Sequence, residues 1–177
     1  RAMRYSYDEG LIEDSTRIWW DLRPSGRFPT LETRIMDVCT RLDDTVALAS
    51  LLACTMRMLY RLRTRNQRWR IYTPMLIREN RWRAMRYSFD EGLIDLAKGE
   101  VVPFTDLMDE LCSLIAEDAR ALGCEKEVKG VHDILSRGTS AHRQLKGYEL
   151  ERASGASAED ALKSVVDTLI IDTAEGL

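Results

Sequence analysis

One apolar segment, residues 46–60, constrains the fold more than any other part of the sequence. It is shorter than the roughly 18 residues that a membrane-spanning helix needs, and it contains Arg57. Acidic residues precede it and arginines follow it, which suits the two ends of a helix dipole. We therefore predict a central core helix over residues 42–63, with Thr40 as its N-cap and apolar side chains buried nearly all round.

Strand patterns precede this helix and helical patterns follow it. Residues 15–23 and 28–38 favour two strands joined by a turn, and residues 92–102 favour a hairpin with Lys98 and Gly99 at its tip. Further helices are predicted over residues 74–87, 103–122, 125–137, 140–153 and 158–173, the last with Ser157 at its start. This order predicts an α+β fold, in which a sheet fragment is followed by a mainly helical C-terminal region.

Composition excludes several classes of protein. With 45% hydrophobic and 31% charged residues, the chain has the composition of a globular protein, and its net charge of -3 disfavours a general polyanion binder. The sequence contains no glycine-rich phosphate loop of the P-loop or dinucleotide-binding type. Its cysteines form no C-x-x-C pair, so we predict four reduced structural thiols and a cytoplasmic location: Cys39, Cys54, Cys112 and Cys124.

A short repeat occurs in the sequence. Residues 1–14 are RAMRYSYDEGLIED, and residues 83–96 are RAMRYSFDEGLIDL. Two short copies do not build a solenoid, which needs at least three units. The repeat is either a segmental duplication or a segment that docks in place of the second copy on a neighbouring chain. We predict a duplicated segment at residues 1–14, separate from the rest of the chain at 15–177.

Charged residues gather on the two predicted N-terminal strands. Glu32 and Arg34 are two residues apart, so on a strand they share one face. They form either a solvated ion pair or a site in which Glu32 binds Mg²⁺ and Arg34 grips a phosphate or carboxylate. Asp21 and Arg23 end the preceding strand beside Trp20, and charges beside an apolar wall favour the interpretation as a site.

Three longer motifs carry a resemblance to a known family. They are IWWDLRPSGRFPTLETRIMDVCTRLDD at residues 18–44, ENRWRAMRYS at 79–88 and RGTSAHRQL at 137–145. The sequence from 10 to 173 resembles the carboxylate–amine ligases of the glutamate–cysteine ligase type 2 group. The resemblance implies a glutamine-synthetase-like antiparallel sheet that forms an active-site funnel. It also implies ATP and Mg²⁺, with phosphorylation of a glutamate carboxylate and attack of an amine, typically that of cysteine, on the acyl phosphate.

The resemblance also implies roles for particular residues. Glu32 matches the glutamate of the family's E-x-R motif and is implied to be a metal ligand. Arg34 matches its arginine and is implied to act catalytically on the γ-phosphate or the substrate carboxylate. Further matching positions are implied to contact substrate or nucleotide: Asp21, Arg23, Asn80, Arg83 and Arg86.

The resemblance leaves alternatives open. The family's N-terminal half supplies further acidic ligands, so we expect this chain to be incomplete as a catalyst and to form a homo-oligomer. One alternative is a non-catalytic relative that serves as an oligomerising or scaffold subunit. Another is RNA binding through residues 61–70, with Tyr60 and Trp69 stacking on bases. For that basic run we favour helix-terminal cations, and we expect neither a nucleic-acid nor a membrane partner.

Overall fold

The computed structural model describes residues 20–25 and 27–175. The chain divides into two compact units, Arg1–Val38 and Cys39–Leu177. The first copy of the repeat lies outside the described residues, so the predicted boundary at residue 14 stays a prediction.

The first unit contains a short antiparallel pair of strands, β1 at Leu22–Pro24 and β2 at Leu31–Thr33. The turn between them is held by Ser25, whose backbone N–H donates to the Thr30 carbonyl at 2.8 Å. The prediction of a second strand over residues 28–38 is wrong in its bounds. Within the described residues no third strand pairs with β2, and beyond Thr33 the pairing with β1 continues only through the Arg34 N–H and the Asp21 carbonyl.

The second unit is mainly helical, as predicted. In chain order its elements are α1 Leu42–Thr64, α2 Pro74–Tyr87, β3 Leu93–Asp95, β4 Glu100–Val102, α3 Phe104–Leu122, α4 Glu125–Arg137, α5 Ser140–Ala153 and α6 Ala158–Ala174. The strands β3 and β4 form the predicted antiparallel hairpin. The described residues therefore confirm an α+β fold with a helical C-terminal region.

Local signals explain several helix ends. α3 ends at Gly123, which adopts the left-handed conformation, and the Ser157 side chain accepts the Asp160 N–H at the start of α6. The prediction of Thr40 as the N-cap of α1 is wrong, because the N-cap is Arg41 and no side chain caps it. The Thr40 hydroxyl instead accepts a hydrogen bond from Arg143 at 3.1 Å.

The core lies where α1, α3 and α4 pack together. Its buried residues are Cys54, Met58, Ile115, Ala119 and Val128. The prediction that α1 is buried nearly all round is wrong for its outer face, where Tyr60 is 68% exposed. Among the described residues α1 alone is long and apolar enough to cross a membrane, a test that core helices also pass.

Gly92 provides a test of the hairpin geometry. Its φ is +66°, and a Cβ atom would lie 2.2 Å from the Val102 carbonyl oxygen. We expect Gly92→Ala to lower the free energy of unfolding by about 3 kcal/mol, because backbone strain and a backbone clash combine. Gly99 has a φ of +78° with open space around it, so Gly99→Ala should cost only about 1 kcal/mol. Equal losses in urea unfolding would contradict this account.

Candidate active site

A cluster of one carboxylate and two guanidinium groups lies on the strand pair of the first unit. Arg23 is the register partner of Glu32 across β1 and β2. Both Nε and Nη2 of Arg23 contact Oε2 of Glu32, at 3.0 and 2.9 Å. Nη2 of Arg34 contacts the same oxygen at 3.3 Å. The strand pairing therefore brings Arg23 to the predicted metal ligand, and the predicted catalytic arginine, two residues further along the chain, contacts the same carboxylate.

The electrostatics of the cluster keep Glu32 ionised. The hydrogen bond from Arg23 holds the pKa of the Glu32 carboxyl below its ordinary value, and the charges of both arginines act in the same direction against desolvation. The Arg23 side chain is only 7% exposed, whereas those of Glu32 and Arg34 are 35% and 38% exposed. Oε2 of Glu32 is therefore shared by two guanidinium groups, one of them buried and the other partly exposed.

The geometry differs in one respect from the sequence prediction. Glu32 and Arg34 were expected on one face of a longer strand, but β2 ends at Thr33, so Arg34 lies just beyond it. Arg34 is still held beside β1, because its backbone N–H donates to the Asp21 carbonyl at 2.8 Å. The predicted site residues thus adjoin one another: Arg23 and Glu32 are the central register pair, and the backbones of Asp21 and Arg34 are hydrogen-bonded next to them.

In the second unit, Asn80 joins α2 to β3. Its side-chain amide donates to the Ile94 carbonyl at 2.8 Å, and its Oδ1 accepts the Ile94 N–H at 2.7 Å. The Asn80 side chain therefore bonds to both backbone groups of Ile94, as the backbone of a neighbouring strand would. The hydrogen bonds give Asn80 a structural task, and its predicted contact with substrate or nucleotide stays a prediction.

Asn80→Ala is expected to lower the free energy of unfolding by about 2 kcal/mol, because both Ile94 backbone groups lose their partner in a half-buried position. Arg78→Ala, an exposed change on the same helix, is the control and should cost less than about 0.5 kcal/mol. Chemical denaturation of both variants measures the difference. If Asn80→Ala unfolds at the wild-type midpoint, the structural task assigned to this side chain is wrong.

Arg83 holds the turn that follows α2. Its Nη2 donates to the Glu91 carbonyl at 2.7 Å, and its Nε donates to the Gly92 carbonyl at 3.2 Å. Arg86 is exposed and places its guanidinium 5.7 Å from the centre of the Tyr87 ring. The structure therefore gives Arg83 backbone partners and leaves Arg86 on the surface, while their predicted ligand contacts stay predictions.

The RGTSAHRQL motif forms the start of α5 and its capping box. The Thr139 hydroxyl lies 2.7 Å from Nδ1 of His142, and the Thr139 N–H donates to the same nitrogen at 3.2 Å. His142 Nε2 lies 3.2 Å from Oδ2 of Asp90, and its ring stacks on Phe89 with centroids 4.6 Å apart. These contacts join the start of α5 to the second copy of the repeat, a link that spacing along the sequence does not predict.

A Mg²⁺ site in a protein needs carboxylate or other oxygen ligands. The described ranges, 20–25 and 27–175, contain no group of three or more histidine, cysteine, aspartate or glutamate side chains that could hold a metal. Mg²⁺ often takes only one or two carboxylates and fills its remaining positions with phosphate oxygens and water. Within the described residues this cluster offers such a site one carboxylate, that of Glu32, whose Oε2 is already bound by both arginines.

Comparisons with known proteins agree with the sequence resemblance. The family model for glutamate–cysteine ligase family 2 matches residues 1–168. A relative from Rhodospirillum rubrum is 62% identical over 164 residues, which cover 93% of this chain and 42% of the relative. One from Jannaschia is 54% identical, covering 97% of this chain and 45% of the relative. Both carry the name "Putative glutamate--cysteine ligase 2".

These matches place the chain among the carboxylate–amine ligases. It belongs to glutamate–cysteine ligase family 2. The chain spans less than half the length of the curated relatives that it matches. The family match also includes both copies of the repeat.

Proposed function

We propose that this chain carries part of the active site of an ATP-dependent ligase that joins glutamate to an amine such as cysteine. The family supports ligase chemistry on small molecules, and the relatives' shared name supports glutamate and cysteine. The observation that carries the proposal is the cluster of Glu32 between Arg23 and Arg34. It combines the one type of side chain that Mg²⁺ prefers with two groups that suit phosphate.

Each residue of the cluster has a proposed task. The buried Arg23 fixes the Glu32 carboxylate with two contacts to one oxygen, so it is a positioning residue. Glu32 would hold Mg²⁺ together with ATP oxygens, and bound Mg²⁺ supplies positive charge against the phosphate groups. The half-exposed Arg34 would bind the γ-phosphate or the substrate carboxylate through its planar fork. Its charge would stabilise negative charge that develops during phosphoryl transfer.

The proposed reaction has two steps. The glutamate side-chain carboxylate attacks the γ-phosphorus of ATP, which gives an acyl phosphate and ADP. The acceptor amine then attacks the acyl carbon, phosphate leaves, and a γ-glutamyl amide is formed. The cluster acts in the first step, by orienting the phosphate groups and by offsetting their charge. Cysteine as the acceptor is proposed from the relatives' name alone.

Binding of Mg-ATP to the purified chain tests the proposed task of Glu32. We expect weak, Mg²⁺-dependent binding that is lost in Glu32→Ala, because Glu32 is the proposed carboxylate ligand of the metal. Glu100→Ala removes an exposed carboxylate from a strand of the second unit and is the matched control. Equilibrium dialysis with radiolabelled ATP measures all three proteins. Equal binding by wild type and Glu32→Ala would contradict the assignment of Glu32 as a metal ligand.

A non-catalytic role is the second candidate, favoured because residues 20–25 and 27–175 contain no group of three or more side chains that could hold a metal. For such a protein, the contacts of Arg23 and Arg34 with Glu32 would only fasten β1 to β2. Glu32→Ala would then lower stability without changing ATP binding, whereas the ligase proposal expects both effects. RNA binding through residues 61–70 is disfavoured, because Arg61 and Arg65 both contact Glu117, at 3.2 and 3.6 Å.

A further inference from the structure

Two cysteines that are far apart in the sequence lie in contact. Sγ of Cys54, on α1, is 3.4 Å from Sγ of Cys124, the N-cap residue of α4, and 70 positions separate them along the chain. Both are free thiols. Cys39 and Cys112 make no sulfur–sulfur contact within the described ranges. The contact therefore singles out one pair among the four thiols.

The surroundings of the pair hold both residues in place. Cys54 is 0% exposed and belongs to the core cluster with Met58 and Ile115, and Cys124 packs against that cluster. A disulfide bond has a sulfur–sulfur length of about 2.05 Å, so the two atoms must approach by about 1.4 Å. Rotation of the side chains and a small backbone shift can supply a movement of this size. A link at this position would join α1 to the turn between α3 and α4.

We propose that Cys54 and Cys124 form an oxidative modification site, which a small organic disulfide such as cystine converts into an intramolecular disulfide. This proposal does not depend on the proposed ligase function, since it rests on the contact between the sulfur atoms alone.

The reaction balances as two thiol–disulfide exchanges. The thiolate of Cys124 attacks one sulfur of cystine, the cystine S–S bond breaks, and one cysteine leaves as its thiolate. The sulfur of Cys54 then attacks the sulfur of Cys124, and the Cys54 proton passes to the cysteine thiolate that leaves. That step releases the second cysteine, so two protein thiols are oxidised and one cystine is reduced to two cysteines.

The order of the two exchanges follows from accessibility. Cys124 is partly exposed, whereas Cys54 is fully buried. Burial, together with the contact to Cys124, raises the pKa of the Cys54 thiol to about 12. Since the thiolate is the attacking form, Cys124 reacts first with the external disulfide and Cys54 completes the link.

Peptide mapping tests the site in the full 177-residue chain. The folded protein is incubated with cystine, it is then unfolded in urea with iodoacetamide to block the remaining thiols, and the digest is analysed without reduction. We expect one linked peptide that joins Cys54 to Cys124. The urea unfolding midpoint should rise on oxidation, because the link closes a long loop and restricts the unfolded chain. Digests in which Cys54 carries the alkyl group, or in which Cys124 keeps a bound cysteine, would overturn the proposal.

Single variants separate this site from general thiol reactivity. Cys54→Ala should leave a stable mixed disulfide between Cys124 and cysteine, since the resolving thiol is gone. Cys39→Ala and Cys112→Ala should form the same Cys54–Cys124 link as wild type. If either of these two changes abolishes the link, the proposed pairing is wrong. The wild-type map alone decides the matter if Cys54→Ala fails to fold.

Discussion

Replacing Asp118 with alanine is expected to lower the free energy of unfolding by about 3 kcal/mol. The carboxylate is 0% exposed on α3 and accepts hydrogen bonds from two arginines of α1. Arg61 contacts it with Nη2 at 2.8 Å and with Nε at 3.2 Å, and Arg57 contacts it with Nη1 at 2.5 Å. The expected loss of unfolding free energy is at the lower end of the range for a broken buried ion pair. The reason is that the Arg57 side chain is 37% exposed and can return to water.

A neighbouring carboxylate gives the matched control. Glu117 is 51% exposed and contacts Arg61 at 3.2 Å. Glu117→Ala should cost less than about 1 kcal/mol, since exposed ion pairs contribute little. Urea unfolding of the two variants at neutral pH measures the difference. Similar losses of unfolding free energy in the two variants would show that burial of the Asp118 carboxylate does not determine its contribution to stability.

The same ion pair predicts a pH dependence. The hydrogen bond from Arg61 lowers the pKa of Asp118, and Arg57 acts in the same direction against desolvation. A carboxyl whose pKa is lower in the folded state contributes stability above its unfolded pKa of about 4. That contribution is lost as the pH falls through the folded value. The difference in unfolding free energy between wild type and Asp118→Asn should therefore shrink below about pH 4, and a constant difference would contradict this assignment.

The sequence predicted helices better than their tertiary contacts. Pro74, Gly123 and Ser157 act through their own backbone or an adjacent turn, so they mark helix ends without knowledge of packing. The sequence favoured Arg57 and Arg61 as cations at the end of a helix, with RNA binding as the alternative. Their partner Asp118 lies on another helix, and no local pattern connects residues so far apart in the sequence.

The strands and the candidate site were also predictable from the sequence only in part. The alternation over residues 28–38 predicted a strand, but pairing limits β2 to Leu31–Thr33. Glu32 and Arg34 could be identified as candidates from spacing and resemblance. The role of Arg23 as the partner of Glu32 required the register of β1 and β2. Spacing also gave no sign that the Asn80 side chain bonds to the Ile94 backbone, because that contact depends on how α2 packs on β3.

The most direct test of the proposed site measures glutamate-dependent ADP release by a longer chimera. This chain would replace the matching segment of the Rhodospirillum rubrum relative, to which it is 62% identical over 164 residues. The relative itself is the positive control, and Glu100→Ala in the chimera is the matched variant. Hydroxylamine added in place of the amine would trap the acyl phosphate as a hydroxamate.

We expect the chimera and its Glu100→Ala variant to release ADP only when glutamate is present. Glu32→Ala should reduce that rate by at least about 100-fold. Mg²⁺ would lose its fixed carboxylate ligand, and the phosphate groups would lose the positioned metal that offsets their charge. A chimera that is inactive beside an active relative, or one that works equally well with and without Glu32, would contradict the assignment of this cluster to the ligase active site.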